Sequence, residues 1–183
     1  MALLKIARMG HPVLLTTAQI VDAIDDLAVQ KLIDDMVETM FDAAGAGLAA
    51  PQVHVSKRII VYRTPPGRVE EESDQDDSVK VLVNPVLKPS GVETTLRLEG
   101  CLSIPGLRGW VPRYTRVFYE GYDRRGERIA GEVGGFQANV LQHEVDHLDG
   151  VLYPMRMTDL RLLGFDTEAE RHLRLDQIQG DRS

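Results

Sequence analysis

Phe136-Gln-Ala-Asn-Val-Leu-Gln-His-Glu-Val-Asp-His-Leu-Asp149 is the stretch on which the reading of the fold turns. Leu141, Val145, Leu148 and the following Leu152 recur at helical spacing, while Val140, His143 and His147 fall on another side. This pattern predicts a helix over 136–149 that is buried on more than one face. Gly134-Gly135 precedes it and Gly150 closes it as a C-cap signal. On such a helix, residues i and i+4 lie about 40° apart, so His143 and His147 can both reach one ion. Glu144 sits on the flank, where it can hold a proton beside that ion. Two core histidines next to Glu144 and Asp146 with no ion to serve would strand several desolvated polar groups, which disfavours a purely structural role.

Outward from this helix, Asp25 to Ala43 reads as a second one. Leu32, Met36 and Met40 recur every four residues, with Ile33, Val37 and Phe41 beside them. Gly45 and Gly47 end it and open the small-residue turn Gly45-Ala-Gly-Leu-Ala-Ala-Pro-Gln52. Strands are expected at 58–62, 80–83, 117–122 and 127–133, the last two joined by the turn Asp123-Arg-Arg-Gly126. After Thr158 a short surface helix over 168–178 and a frayed end are expected. No repeat and no linker divides the chain, so residues 1–183 read as a single domain.

The 183 residues are 43% hydrophobic and 27% charged, an ordinary globular balance. The net charge of -7 is uneven: between Pro65 and Ser78 stand Glu70, Glu71, Glu72, Asp74, Asp76 and Asp77 against Arg68 alone. Residues 65–79 therefore read as a solvated, mobile acidic loop on a nearly neutral body. No basic field points to direct nucleic-acid binding. No apolar run approaches the roughly 18 residues of a membrane span. One cysteine, Cys101, excludes an intrachain disulfide and fits a reducing compartment. Gly10-His11-Pro12 would break an organellar presequence helix early, so a cytoplasmic location is expected.

A catalytic metal needs a third protein ligand and an open position. The position that would hold a third histidine six residues after His147 is Tyr153, which nearly removes that option. A downstream carboxylate, Glu168 or Glu170, would make a metallopeptidase of the two-histidine, one-glutamate kind. Cys101, in Glu99-Gly-Cys-Leu-Ser103, is the third choice. A non-enzymatic rival is a metal-storing or structural-zinc module, in which all four positions would be filled by the protein.

Gly45-Ala-Gly-Leu-Ala-Ala-Pro-Gln52, Glu99-Gly-Cys-Leu-Ser103 and Gln142-His-Glu-Val-Asp-His147 together resemble the three motifs of peptide deformylases, in the same order and with similar spacing. The resemblance runs from about Arg8 to Met157, and Phe136 together with Gly121-Tyr-Asp-Arg-Arg-Gly126 looks closest to the subgroup that includes organellar enzymes. It implies an α+β domain whose antiparallel strands pack around a central metal-binding helix. It implies removal of the formyl group from the N-terminal formyl-methionine of nascent peptides. Carried over, Cys101, His143 and His147 would bind one divalent metal ion, Fe2+ by the family's habit, with Zn2+, Ni2+ or Co2+ as substitutes. Glu144 would be general base and then acid, and Gln52 and the backbone N–H of Leu102 would stabilise the oxyanion. Asp146 would orient a ligand rather than bind metal. Gly45, Ala46 and Gly47 would let the substrate pair with backbone as an added strand. The methionine pocket, usually apolar in the family, would here be lined by Arg97, Phe136 and Asn139. The tail from Pro154 onward carries five Arg and six Asp or Glu, which weakens a ribosome-docking role to transient proximity.

Overall fold

In the computed structural model, which describes residues 2–173, the run Ile59–Tyr62 (β2) is buried at every position, as a strand with both faces covered must be. Its alternation sorts the core. Ile59 and Val61 pack towards helix α1, Leu27–Asp42, against Val29, Ile33, Met36 and Met40. Ile60 and Tyr62 pack the other way, against Leu141, Val145 and Leu148 of helix α2, Gly135–Leu148. Each large side chain so buried contributes about 1.5–3 kcal/mol relative to exposure. The helix α1 begins two residues later than the periodicity predicts because Asp26 is its cap, its carboxylate accepting from the Ala28 N–H at 2.7 Å.

β2 pairs antiparallel with β1, Gly47–Ala49, on one side and with β3, Lys80–Pro89, on the other. β4, Thr94–Cys101, and β5, Ile104–Tyr114, form a long antiparallel pair. β6, Val117–Tyr122, and β7, Arg128–Val133, complete the first sheet in the order β1-β2-β3-β6-β7. β8, Leu163–Phe165, joins β4 and β5 in a second, three-stranded sheet ordered β4-β5-β8. All named pairings are antiparallel. The second sheet is absent from the sequence reading, because Pro105, Gly106, Gly109 and Pro112 interrupt β5. α2 lies against both sheets, touching the first through its apolar stripe and the second through polar side chains.

The acidic segment also differs from the reading as a solvated run. Asp74, within the turn Glu72–Asp74, is completely buried. The first N–H groups of α2 have no intrahelical acceptor, and its cap residue Gly134 has no side chain to supply one. Asp74 supplies it from the loop. A helix α3 spans Asp166–His172, earlier than the tail helix expected at 168–178; the remainder of that expectation lies outside the described residues. No helix among the described residues is long and apolar enough to cross a membrane.

Candidate metal centre and substrate cleft

β4 and α2 deliver the three donors from opposite sides. Cys101 ends β4, where the register with β5 shifts and the chain turns through Leu102 and Ser103. His143 and His147 stand one helical turn apart on α2, their ring centroids 5.0 Å apart. Cys101 Sγ lies 3.2 Å from His147 Nε2, and one ligand atom from each of the three residues falls within 4.8 Å of the others. Burial alone would raise the Cys101 thiol, but the two imidazoles hold it well below its ordinary pKa. Burial alone would likewise lower His143, and Cys101 with Glu99 raises it well above the ordinary value instead. A thiolate flanked by two imidazoles is a donor set that suits a divalent ion such as iron or zinc, so the residues present fit the group.

Behind the donors runs a charged chain that sequence reasoning did not find. His143 Nδ1 lies 2.8 Å from Glu99 Oε2, which fixes the ring and turns Nε2 away from the carboxylate. Arg113 of β5 grips the same carboxylate with Nε at 2.7 Å and Nη2 at 3.0 Å. Its Nη1 donates to Asp146 Oδ2 at 2.6 Å, and Asp146 in turn accepts from Arg156 at 2.7 Å. Asp146 therefore reaches the site through Arg113, not by touching a ligand. Burial would raise Glu99, yet His143 and Arg113 pull its pKa down to about 2. The signal available in the sequence was strand parity: Glu99 and Cys101, two apart on β4, point to the same side.

Glu144 lies beside the donors, 4% exposed, with Oε2 unpartnered. Burial pushes its carboxyl up to about 7, suited to exchanging a proton near neutrality. Gly47 makes room for it, since a Cβ there would stand 2.3 Å from Glu144 Oε1. Gln52, in the short helical turn Ala50–Val53, accepts the Ala49 N–H at 2.8 Å. Its Nε2 donates to Ser103 Oγ at 3.2 Å and points to Cys101 Sγ at 3.6 Å. The leading segment of the chain passes over this point: the Ala7 N–H donates to the Gln52 carbonyl at 2.7 Å, and the Met9 N–H to the Ser103 carbonyl at 2.8 Å.

A broad cleft opens onto Cys101, His143 and Glu144, and Gly45, Ala46, Gly47, Gln52 and Leu102 line it. Phe136 and Asn139 line it as well, and Asn139 Oδ1 is buried without a partner. Arg97 is a correction: it is not among the lining residues, because its Nη1 pairs with Glu70 Oε2 at 2.6 Å. Glu168 and Glu170 are not part of the donor cluster either, and Glu168 is exposed beside His172.

The family model described as polypeptide deformylase matches residues 3–162. Peptide deformylase 1 of Nitrosomonas europaea is 46% identical over 164 residues, covering 87% of this chain and 90% of that protein. Peptide deformylase 1A, chloroplastic/mitochondrial, of Arabidopsis thaliana is 44% identical over 163 residues, covering 84% of this chain and 61% of that protein. Among solved structures, the Met-Ala-Ser-bound class I type b peptide deformylase from Acinetobacter baumannii superposes with a TM-score of 0.78 at 36% identity, covering 85% of this chain and 98% of that one. With nearly the whole described chain matched by one family model and by relatives well above 40% identity, this chain belongs to the peptide deformylase family.

Proposed function

We propose that this chain hydrolyses the N-formyl group from the N-terminal formyl-methionine of newly made polypeptides, releasing formate. The observation that carries the reading is a thiolate and two imidazoles converging beside the buried Glu144, whose carboxyl is raised to about 7, on an open cleft. In this reading α2 is the central metal-binding helix and His143-Glu-Val-Asp-His147 its HExxH motif. One divalent ion, ferrous iron with zinc, nickel or cobalt as substitutes, would be held by Cys101, His143 and His147, and would polarise the formyl carbonyl and acidify a water.

The chain's own groups do the rest. Glu144 accepts a proton from the attacking water and returns it to the departing amine, so the C–N bond breaks and formate and a free α-amine leave. Negative charge gathers on the formyl oxygen during the attack. The Leu102 N–H and one Gln52 Nε2–H are the donors proposed for it, and Gln52 is held rigid for that task by Ala49 and Ser103. β1 stands at the edge of its sheet, so the peptide following the formyl group can lie along Gly45–Gly47 as an added strand. The methionine side chain then enters beside Phe136 and Asn139. We further read the chain as one catalytic domain working in the cytoplasm near ribosomes, without binding nucleic acid or membrane itself.

The test compares formyl-Met-Ala-Ser with acetyl-Met-Ala-Ser on one sample whose metal content is measured. Formate release from the first and inertness towards the second are expected. Equal cleavage of both, or hydrolysis of internal peptide bonds, would favour the metallopeptidase.

A further inference from the structure

Of the acids between Glu70 and Asp77, Asp74 alone is fully buried. Its Oδ2 accepts the N–H groups of Glu70 at 3.0 Å, Glu71 at 3.2 Å and Phe136 at 3.1 Å, and its Oδ1 that of Gln137 at 2.9 Å. One carboxylate thus closes its own loop and caps the first turn of α2. Two glycines make the cradle. Gly135 has φ +54, and a Cβ on it would lie 2.6 Å from Asp74 Oδ2. A Cβ on Gly134 would lie 2.3 Å from Glu71 Oε2. A negative charge at a helix N-terminus is favoured in its own right, which suits Asp74 to the place.

The same loop forms part of the substrate cleft. Pro65 and Arg68 line it together with Phe136. The Arg68 guanidinium lies 5.8 Å from the Phe136 ring centroid. Glu70 draws Arg97 off, and Glu71 holds Arg116 at 2.8 Å. We infer that Asp74 is a positioning residue for substrate selection: by tying the loop to the Phe136 and Gln137 N–H groups, it fixes the Phe136 wall and with it the fit of the methionine side chain. The inference rests on the deformylase reading for its kinetic consequence, while its structural half concerns only how a methionine side chain is held.

The experiment uses the metal-loaded, full-length protein with Asp74→Asn, which keeps the shape but turns an amide N–H towards backbone donors. KM for formyl-Met-Ala-Ser should rise about 10-fold while kcat stays within about twofold, and the preference over formyl-Ala-Ala-Ser should narrow about 10-fold. Metal content should not change. Asp77→Asn, the same charge change on an exposed acid of the loop, should alter none of these. Gly135→Ala, whose Cβ displaces the carboxylate, should reproduce the effect and replaces Asp74→Asn if that variant does not fold. Binding of Met-Ala-Ser against Ala-Ala-Ser, measured by calorimetry without turnover, should lose the same discrimination. A lower melting temperature with KM, the methionine preference and peptide binding all unchanged would overturn the proposal and leave Asp74 a helix cap only. If the wild type releases no formate but Asp74→Asn still weakens Met-Ala-Ser binding, the deformylase reading fails and the positioning role stands.

Discussion

Arg113→Met removes the centre of the charged chain behind His143 while keeping an apolar stem of similar length. The guanidinium is 5% exposed and its partners Glu99 and Asp146 are 2% and 9% exposed, so all three charges sit outside bulk water. Deleting one member of a buried pair costs about 3–5 kcal/mol, chiefly through the charge left behind. Here Asp146 retains Arg156 and Glu99 retains His143, which places the expected loss at the lower end, about 3–4 kcal/mol. For a chain of this size that is a fall in Tm of roughly 6–16 °C. Urea unfolding of the metal-stripped protein measures it without the contribution of ion binding. A second readout is metal affinity, expected to weaken about 10–100-fold because Glu99 no longer holds the His143 ring in place. The acid limb of stability should move as well. Glu99 has a folded pKa of about 2 against an ordinary 4.5, so its contribution is fully present above 4.5 and lost as pH falls through 2. Without Arg113 the folded pKa rises towards the ordinary value and that contribution shrinks. A double variant, Arg113→Met with Glu99→Gln, should lose less than the two single variants together, by about 1–3 kcal/mol. A single-variant loss below about 1 kcal/mol with unchanged metal affinity would refute the account of the chain.

Four further outcomes are expected. Glu144→Gln should keep its ion, measured by metal analysis, while kcat falls at least about 100-fold; near-native turnover would remove Glu144 from proton transfer. On the acid side, wild-type kcat/KM should fall as pH drops through the Glu144 pKa, because the base must be ionised; burial sets that pKa to about 7 and a bound cation lowers it, so a limb above 7 counts against the assignment. Cys101→Ser should lose metal and activity where Glu168→Ala loses neither, and the opposite pattern in metal analysis would favour the peptidase. Asn139→Ile should sharpen the preference for formyl-methionine over formyl-norleucine or formyl-leucine about 10-fold, since an unpartnered buried Oδ1 no longer faces the pocket; an unchanged ratio places Asn139 away from the side chain.

The two long helices and strand β2 were legible because each shows one periodicity without interruption: Ile33, Met36 and Met40 at helical spacing, and Ile59 to Tyr62 as a run covered on both faces. β4 and β5 were not. Their buried positions include Glu99 and Arg113, whose charges neutralise one another only once the strands pair, and no scan of one strand reports a partner on the next. For the same reason the residues that face an ion, Cys101, His143, Glu144 and His147, stand out as motifs, while those that hold them in position do not. Arg97 illustrates the limit from the other side. Two positions before Glu99 on β4, it shares that residue's side of the strand by parity, and the loop residue Glu70, 27 positions earlier, takes its guanidinium away. Asp74 looked like one more solvated acid because burial of a carboxylate depends on four N–H donors, two of them more than sixty residues distant.

The crossing of Ala7 and Met9 over Gln52 and Ser103 has a consequence in time. This segment is synthesised before either partner, and Met9 must wait for Ser103, roughly 90 residues later, before its backbone N–H finds an acceptor. At about 5–20 residues per second, that delay is roughly 5–20 s. Until then the segment around Ala7, later 2% exposed, lacks its Ser103 anchor, and the amide of Gln52 has Ala49 but not Ser103 to brace it. The backbone on either side of the oxyanion donor is therefore pinned by an earlier part of the chain acting on later ones. Trimming residues 2–9 should leave the ion's donors in place while loosening the backbone at Gln52 and Ser103 and removing the contacts of Ala2 and Leu4 with α1, a defect of turnover and stability without a defect of metal content.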